Sequence, residues 1–255
     1  MLAAERRNQI LEKIHEEKRV IVSDLSRRYE VSEETIRRDL ERLEEEGHIV
    51  KSYGGAVLNE ASLIDLPYNV RRNVNPASKQ RIAELVKLQI EENDHIFLDA
   101  STTSVFIAKN IKQKEHLTVI TNSIENLLEL SQVTGWDIIS TGGLLKPGTM
   151  SLYGFKTAEA LGAYHADKVF LSCKGLSMEQ GITDGNDETA GIKQAMIASA
   201  EKVYLAADSS KFGRKAFSQI CGFDRIHALI TDRKPEAVWC DFLSGNGIEL
   251  IYPDK

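Results

Sequence analysis

Seven short runs of β-branched and aliphatic residues recur between helical stretches in the last two thirds of the chain, and this alternation most restricts the fold. The runs are residues 95–99, 117–121, 137–141, 168–172, 202–206, 228–231 and 248–251. Strands separated by helices pair in parallel, because a crossover long enough to hold a helix returns the chain to the same end of the sheet. Residues 76–255 therefore predict an α/β domain with a mostly parallel sheet covered by helices.

The first 58 residues follow another pattern. Ile10, Leu11 and Ile14 have helical spacing within residues 4–17. Residues 18–22 read as a short extended link. Ser23 is placed to cap a second helix over residues 24–29. Glu30-Val31-Ser32 reads as a tight turn, with Ser32 as the cap of a third helix and Gly47 as the residue that ends it. In this third helix Ile36, Leu40 and Leu43 share one face, and Arg38 lies roughly 200° around from Ile36. Thr35 and Arg37 flank Arg38, and Arg42 follows one turn later. Two β-prone runs, 48–53 and 54–58, then predict a wing. Residues 1–58 thus read as a winged helix-turn-helix, with residues 59–75 as a polar connection. An amphipathic helix with arginines and a threonine outward suits the major groove of DNA. Lys51 and Tyr53 of the wing are placed to touch the backbone.

Bulk charge does not explain such a role. The chain of 255 residues carries a net charge of −6. Residues 1–57 hold eleven basic and thirteen acidic side chains, a balance of −2. A nonspecific polyanion binder would be more basic, so DNA binding must rest on the placement of a few arginines. Paired half-sites in a homo-oligomer, dimer or tetramer, would double a small patch. No apolar run approaches the roughly 18–20 residues of a membrane span, and the N-terminal segment is charged and amphipathic, unlike a signal peptide. Cys173, Cys221 and Cys240 are odd in number and far apart. This favours a reducing cytoplasm over a disulfide framework or a zinc site. The six histidines have no ligand spacing, so no metal site and no cofactor is expected.

In α/β sheets, ligands sit beyond the carboxyl ends of the strands. Five such ends here are polar. Asp99-Ala100-Ser101-Thr102-Thr103 follows a strand and opens a helix, where backbone N–H groups and three hydroxyls suit a phosphate. Thr121-Asn122-Ser123 and Thr141-Gly142-Gly143 end the next two runs. Ser172-Cys173-Lys174-Gly175 and Asp208-Ser209-Ser210-Lys211 each bring a lysine. Together they suit a polyhydroxy compound with an anionic group. Any one of these loops alone reads equally well as a helix cap or a turn. Asp184 and Glu188 are weaker candidates, since Asp-Gly is a frequent turn and Glu188 sits where a helix starts.

These residues resemble the DeoR-type bacterial transcriptional regulators along essentially the whole chain. The N-terminal match is Val31-Ser32-Glu33-Glu34-Thr35-Ile36-Arg37-Arg38-Asp39-Leu40, then Leu43, Gly47 and Tyr53-Gly54-Gly55-Ala56. The C-terminal match includes Lys79, Ile82-Ala83, Asp99 with Thr102-Thr103, Leu117-Thr118-Val119 with Thr121-Asn122, Gly142-Gly143, and Asp208 through Gly213. The resemblance implies a sensor domain similar to ribose-5-phosphate isomerase-like and sugar-phosphate deaminase folds. It also implies that this domain senses a phosphorylated sugar without catalysis. The main reading is a repressor of a carbohydrate-catabolism operon released by that sugar, and an activator built from the same parts is not separated from it by the sequence. The alternative is a sugar-phosphate isomerase or deaminase carrying a DNA-binding domain, with Asp99, Asp184, Glu188 and Lys174 moving protons. Two positions depart from the family pattern. Ser101 stands where the phosphate loop often has glycine, and Lys174 lies in a segment that is usually small and uncharged.

Overall fold

A computed structural model of the chain describes residues 2–45, 48–58 and 68–253. The chain divides into two compact units, Met1–Asn75 and Pro76–Lys255.

The first unit runs α1 (Ala3–Glu17), β1 (Arg19–Ile21), α2 (Val22–Tyr29), α3 (Glu33–Glu45), β2 (Ile49–Ser52), β3 (Gly55–Leu58) and α4 (Tyr68–Asn73). Ile10, Leu11 and Ile14 of α1, Leu25 of α2, and Ile36, Leu40 and Leu43 of α3 are all buried in one core. Burying each such side chain contributes about 1.5–3 kcal/mol before chain entropy is counted. The helical spacing read from the sequence is therefore the spacing that packs.

Three expectations for this unit change. Helix α2 starts at Val22, ahead of Ser23, and its cap residue Ile21 makes no side-chain bond. The Val22 N–H donates instead to the carbonyl of Gly54 at 2.9 Å, so a backbone carbonyl does the work expected of the Ser23 hydroxyl. The extended link is a strand: β1 pairs antiparallel with β3, giving the sheet order β1-β3-β2. Gly55 makes this approach possible, since a Cβ there would lie 2.0 Å from the Val20 carbonyl oxygen. Finally, part of the presumed loose connection is helical. Arg71, Arg72 and Asn73 belong to α4, whose Val70 is fully buried in the N-terminal core and whose Asn73 bonds Glu12 of α1 at 2.5 Å. Residues 59–67, and Gly47, expected to end the third helix, lie outside the described residues.

The second unit runs α5 (Pro76–Leu88), β4 (His95–Leu98), α6 (Thr102–Ile111), β5 (Thr118–Thr121), α7 (Ile124–Leu130), β6 (Asp137–Ser140), β7 (Leu144–Lys146), β8 (Ser151–Tyr153) and α8 (Phe155–Gly162). It continues through β9 (Ala166–Leu171), β10 (Gly175–Ser177), β11 (Gly181–Asp184), α9 (Asp187–Ala198), β12 (Ala200–Ala206), β13 (Ser218–Cys221), β14 (Ala228–Ile230), α10 (Ala237–Gly245) and β15 (Glu249–Ile251). All seven runs named from the sequence enter one sheet, ordered β15-β14-β12-β9-β4-β5-β6, and every pairing in it is parallel. Side chains alternate between its faces. Phe97 packs with Val169, Leu171 and Leu205 on one side, while Ile96 and Leu98 pack with Phe170 and Tyr204 on the other. Burial on both faces explains why these strands read as continuous apolar runs. The β7–β8 hairpin and the antiparallel sheet β10-β11-β13 were not anticipated; their strands have three or four residues, too few to show a period.

This topology positions the polar ends. From β4 the chain steps outward to β5 and β6, then returns to β9 on the other side of β4. The direction of winding therefore switches between β4 and β9, where parallel sheets open a crevice beyond the strand ends. The five polar ends belong to β12, β9, β4, β5 and β6, which are consecutive neighbours in the sheet.

Candidate nucleic-acid interface and ligand site

Helix α3 presents what its sequence predicts, with one addition beneath it. Ser32 caps it, its Oγ accepting the Thr35 N–H at 3.2 Å and lying 2.9 Å from the Thr35 hydroxyl. Thr35 is half-buried, and Arg37, Arg38 and Arg42 are exposed. Each arginine meets a carboxylate: Arg37 with Glu33 at 2.8 Å, Arg38 with Glu34 at 3.5 Å, and Arg42 with Glu45 at 3.2 Å. Lys51 of β2 reaches back to Glu41 at 3.5 Å and Glu44 at 3.3 Å. Its backbone N–H donates to Glu44 at 2.8 Å, and that bond, aided by the Lys51 ammonium, holds the Glu44 carboxyl below its ordinary value. The same pairing raises Lys51. Wing and helix are thus tied together around a cleft of about 260 Å³ lined by Arg37, Leu40, Glu41, Lys51, Ser52 and Gly54, among others. Tyr53 projects fully into solvent at the turn between β2 and β3, where Gly54 takes φ +80°.

The addition is Asp39. It sits on the inner face of α3, buried, and accepts from Arg6 of α1 at 2.6 Å, with Arg7 at 3.6 Å. A carboxylate buried without a partner would cost several kcal/mol. The pair therefore fixes how α3 lies on α1. Asp39 falls three residues after Ile36 and four before Leu43, and this interruption of an apolar stripe was its sequence signal.

In the second unit the predicted ends divide into two sets. One set converges on the switch point. Asp99, at the end of β4, accepts the Ser101 N–H at 3.0 Å and reaches across to the Ser172 N–H beyond β9 at 2.9 Å. Its carboxylate also lies 3.2 Å from the ammonium of Lys193. Lys193, in the middle of α9, was missed by sequence reading. It bonds Asp184 at 2.6 Å and the Ser172 carbonyl at 2.6 Å. Burial pushes the Lys193 ammonium down, but Asp184 and Asp99 more than reverse this and hold it above its ordinary value. Burial likewise raises Asp184, and Lys193 outweighs it, so the carboxyl ends below its usual range. Lys174 contributes to that lowering and lies against Gly185.

Asp208 follows β12 and accepts the Ser210 N–H at 3.0 Å. Burial would raise it; the half-buried Lys211, the Ser210 bonds and the buried Lys79 of α5 together hold it low. Buried Cys173 feels Lys193, Lys211, Asp184 and Asp208, yet burial dominates and pushes its thiol up to about 12. Around the switch point lie four lysines (79, 174, 193, 211) and three aspartates (99, 184, 208), and a fourth aspartate, the buried Asp232, accepts the Ser209 N–H at 2.6 Å. Beside them α6 begins. Ser101 is its N-cap, its hydroxyl accepting the Ser104 N–H at 3.1 Å. Ser101 takes φ −82°, ψ 159°, so this loop needs no glycine, and serine supplies a cap that glycine lacks. Thr102 and Thr103 are the first helical residues, whose N–H groups have no preceding turn of helix to accept from them.

The other set makes bonds within the fold. Thr121 is fully buried; its hydroxyl donates to the Leu98 carbonyl at 2.7 Å and accepts the Ser123 N–H at 3.1 Å. Asn122 donates through Nδ2 to the Leu152 carbonyl at 2.9 Å, holding the β7–β8 hairpin, while its Oδ1 is buried without a partner. Gly142 lies beyond β6 and accepts from the Thr157 hydroxyl at 2.8 Å. At Gly143, φ +112°, a Cβ would collide with that hydroxyl. Glu188 opens α9 at the surface and pairs with Lys146 of β7.

Comparison with known proteins matches both units. Residues 6–62 match the DeoR-like helix-turn-helix domain, and residues 74–233 match the DeoR C-terminal sensor domain. The chain belongs to the DeoR family of transcriptional regulators. As a DeoR-family protein it is a DNA-binding transcriptional regulator with a sensor domain. It is 40% identical over 232 residues to an uncharacterized regulator, YulB, of Bacillus subtilis, covering 91% of this chain and 90% of that protein. It is 36% identical over 255 residues to the repressor GlcR of the same organism, covering 100% and 98%. It is 31% identical over 250 residues to a putative aga operon repressor of Escherichia coli O157:H7, covering 97% and 93%. Among solved structures, ribose 5-phosphate isomerase A from Methanocaldococcus jannaschii superposes with a TM-score of 0.40 at 13% identity, covering 54% of this chain and 55% of that one. Among the described residues, no helix of this DeoR-family regulator is long and apolar enough to cross a membrane.

Proposed function

We propose that this DeoR-family regulator is a cytoplasmic, homo-oligomeric repressor that holds operator DNA until a phosphorylated sugar binds at the switch-point crevice. The observation that carries the effector half is the start of α6 beside Asp99, Lys174, Asp208 and Lys211, which follow adjacent parallel strands, with Lys193 of α9, Lys79 of α5 and Asp184 of β11 packed against them. The phosphate would sit on the Thr102 and Thr103 N–H groups, with Lys211 and Lys174 in reach and the sugar hydroxyls towards Asp208. Two of the relatives compared above have names that include repressor, which favours that direction of control. In the DNA half, Arg38 and Arg37 would meet base edges, with Lys51 and Tyr53 on the backbone. A sugar phosphate releases DNA only by binding the DNA-incompetent state more tightly. Moving the balance from 99:1 to 1:99 takes about 10⁴-fold, or about 5.5 kcal/mol.

Geometry does not favour proton transfer. Asp99 and Asp184 are both committed to the Lys193 ammonium, and Glu188 faces solvent beside Lys146. The test is a gel-shift titration of the full chain on the upstream region of its own operon, with pentose and hexose phosphates added in turn. One effector should release the DNA and survive unchanged. Arg38→Ala should lose about 1–3 kcal/mol of discrimination between operator and scrambled duplex. Equal binding by Arg38→Ala, no sequence-specific shift at low salt, or turnover of the sugar phosphate would sink this reading.

A further inference from the structure

The outward cations of α3 and the wing are matched to carboxylates on α3 itself. Glu33 and Glu34 stand one turn before Arg37 and Arg38, in the first turn of the helix, and bond them at 2.8 and 3.5 Å. All four side chains are about half exposed or more. Pairs this exposed hold little stability and exchange readily with other partners. Stability is thus a poor reason for placing two acids where the reading helix of a helix-turn-helix meets base edges.

Their effect on DNA depends on what the arginine meets. Nonspecific affinity comes almost wholly from phosphates. A phosphate taken by Arg37 or Arg38 must either displace the carboxylate or lie beside it, like charge against like. A base edge imposes neither cost. The guanidinium has five N–H donors in a fixed fork, enough to serve guanine O6 and N7 while keeping a carboxylate. The carboxylate can also accept from the cytosine N4 amino group of a neighbouring pair. The same two acids therefore oppose backbone contacts and tolerate groove contacts.

We propose that Glu33 and Glu34 are specificity-determining residues: counter-charges that suppress phosphate binding by Arg37 and Arg38 and make tight binding conditional on base contacts. This rests on α3 being the groove-reading helix of the proposed function. It also accounts for a DNA-binding unit whose net charge is negative.

The test uses the full chain, a duplex selected by the wild type from a random pool, and a scrambled duplex of equal composition. Wild-type protein must first prefer the selected duplex; if it does not, the operator-reading proposal fails and this one with it. Given that preference, Glu33→Gln and Glu34→Gln should each tighten binding to the scrambled duplex by about twofold to fivefold. In the double variant, log K for the scrambled duplex should fall more steeply with log salt, by up to about 0.9 for each arginine released to a phosphate. Affinity for the selected duplex should change less, so the ratio falls. Glu5→Gln, at an exposed position of α1, removes the same charge elsewhere and should leave the ratio alone. Unchanged scrambled-duplex affinity in the double variant overturns the proposal, as does an equal gain on both duplexes. So does a loss on the selected duplex alone, which would make the two acids plain base readers.

Discussion

The two units use the same chemistry, cation against carboxylate, at similar distances and to opposite ends. On α3, Arg37 bonds Glu33 at 2.8 Å with side chains 55% and 47% exposed. Beyond the central strands, Lys193 bonds Asp184 at 2.6 Å with side chains 7% and 6% exposed. Distance does not separate these pairs; water does. The exposed pair is screened and exchangeable, so its members remain free to change partners. The buried cluster cannot lose one member without leaving another short of a bond or a counter-charge, so it fixes backbone positions on both sides of the switch point. Nor does the contrast simply follow the unit boundary, because Arg6–Asp39 beneath α3 is buried in the manner of Lys193–Asp184. One helix thus carries a fixed ion pair on its inner face and exchangeable ones on its outer face.

The largest effect that tests this contrast is Asp184→Asn. It leaves Lys193 buried with Asp99 as its remaining carboxylate and should cost about 3–5 kcal/mol in urea unfolding of the second unit. A loss below about 1 kcal/mol would mean that the cluster is wetter than its burial implies. Its pH dependence has a defined sign. Asp184 and Asp208 have lowered values, so their contribution is present above the ordinary carboxyl value of 3.8 and is lost as pH falls through the lower folded value. Lys193 is raised, so its contribution is present below 10.5 and is lost as pH rises beyond the folded value. Between those limits these three groups should leave unfolding independent of pH.

A smaller effect probes the start of α6. Ser101→Ala should destabilise by about 1 kcal/mol through loss of the cap, whereas Ser101→Gly should cost only a few tenths. Thermal unfolding would separate the two, and equal losses would remove the capping account of this position. The smallest effect is on the exposed side. A double-mutant cycle on Glu33 and Arg37 should give a coupling of about 0.3–0.5 kcal/mol that fades with added salt. A salt-resistant coupling above 1 kcal/mol would erase the distinction between the two faces of α3.

What could be read from the sequence divides along the same line. The strand runs were legible because a strand buried on both faces must be apolar throughout, and Phe97 beside Ile96 and Leu98 shows both faces filled. The order of the strands in the sheet was not, because pairing partners leave no local pattern. The polar ends at Asp99, Lys174 and Asp208 were found because they terminate apolar runs. The roles of Lys193 and Asp39 were missed because each lies inside a helix, where a lone charge ordinarily faces solvent. Both share a signal: Lys193 falls on the stripe of Ala190 and Ile197, and Asp39 on that of Ile36 and Leu43. A charge inside an apolar stripe needs a buried partner, and here each has one. Ser23 failed as a cap because its competitor, the Gly54 carbonyl, is about thirty residues away and no local rule sees it.

That distant carbonyl bears on the order of events during synthesis. The register Arg19↔Val57, Val20↔Ala56, Ile21↔Gly55 couples the segment before α2 to the last strand of the wing. A growing chain that has released only the three helices lacks both the partner of β1 and the acceptor for Val22. The helix-turn-helix is complete only once residues 54–57 have emerged, so the reading helix gains its final setting together with the wing.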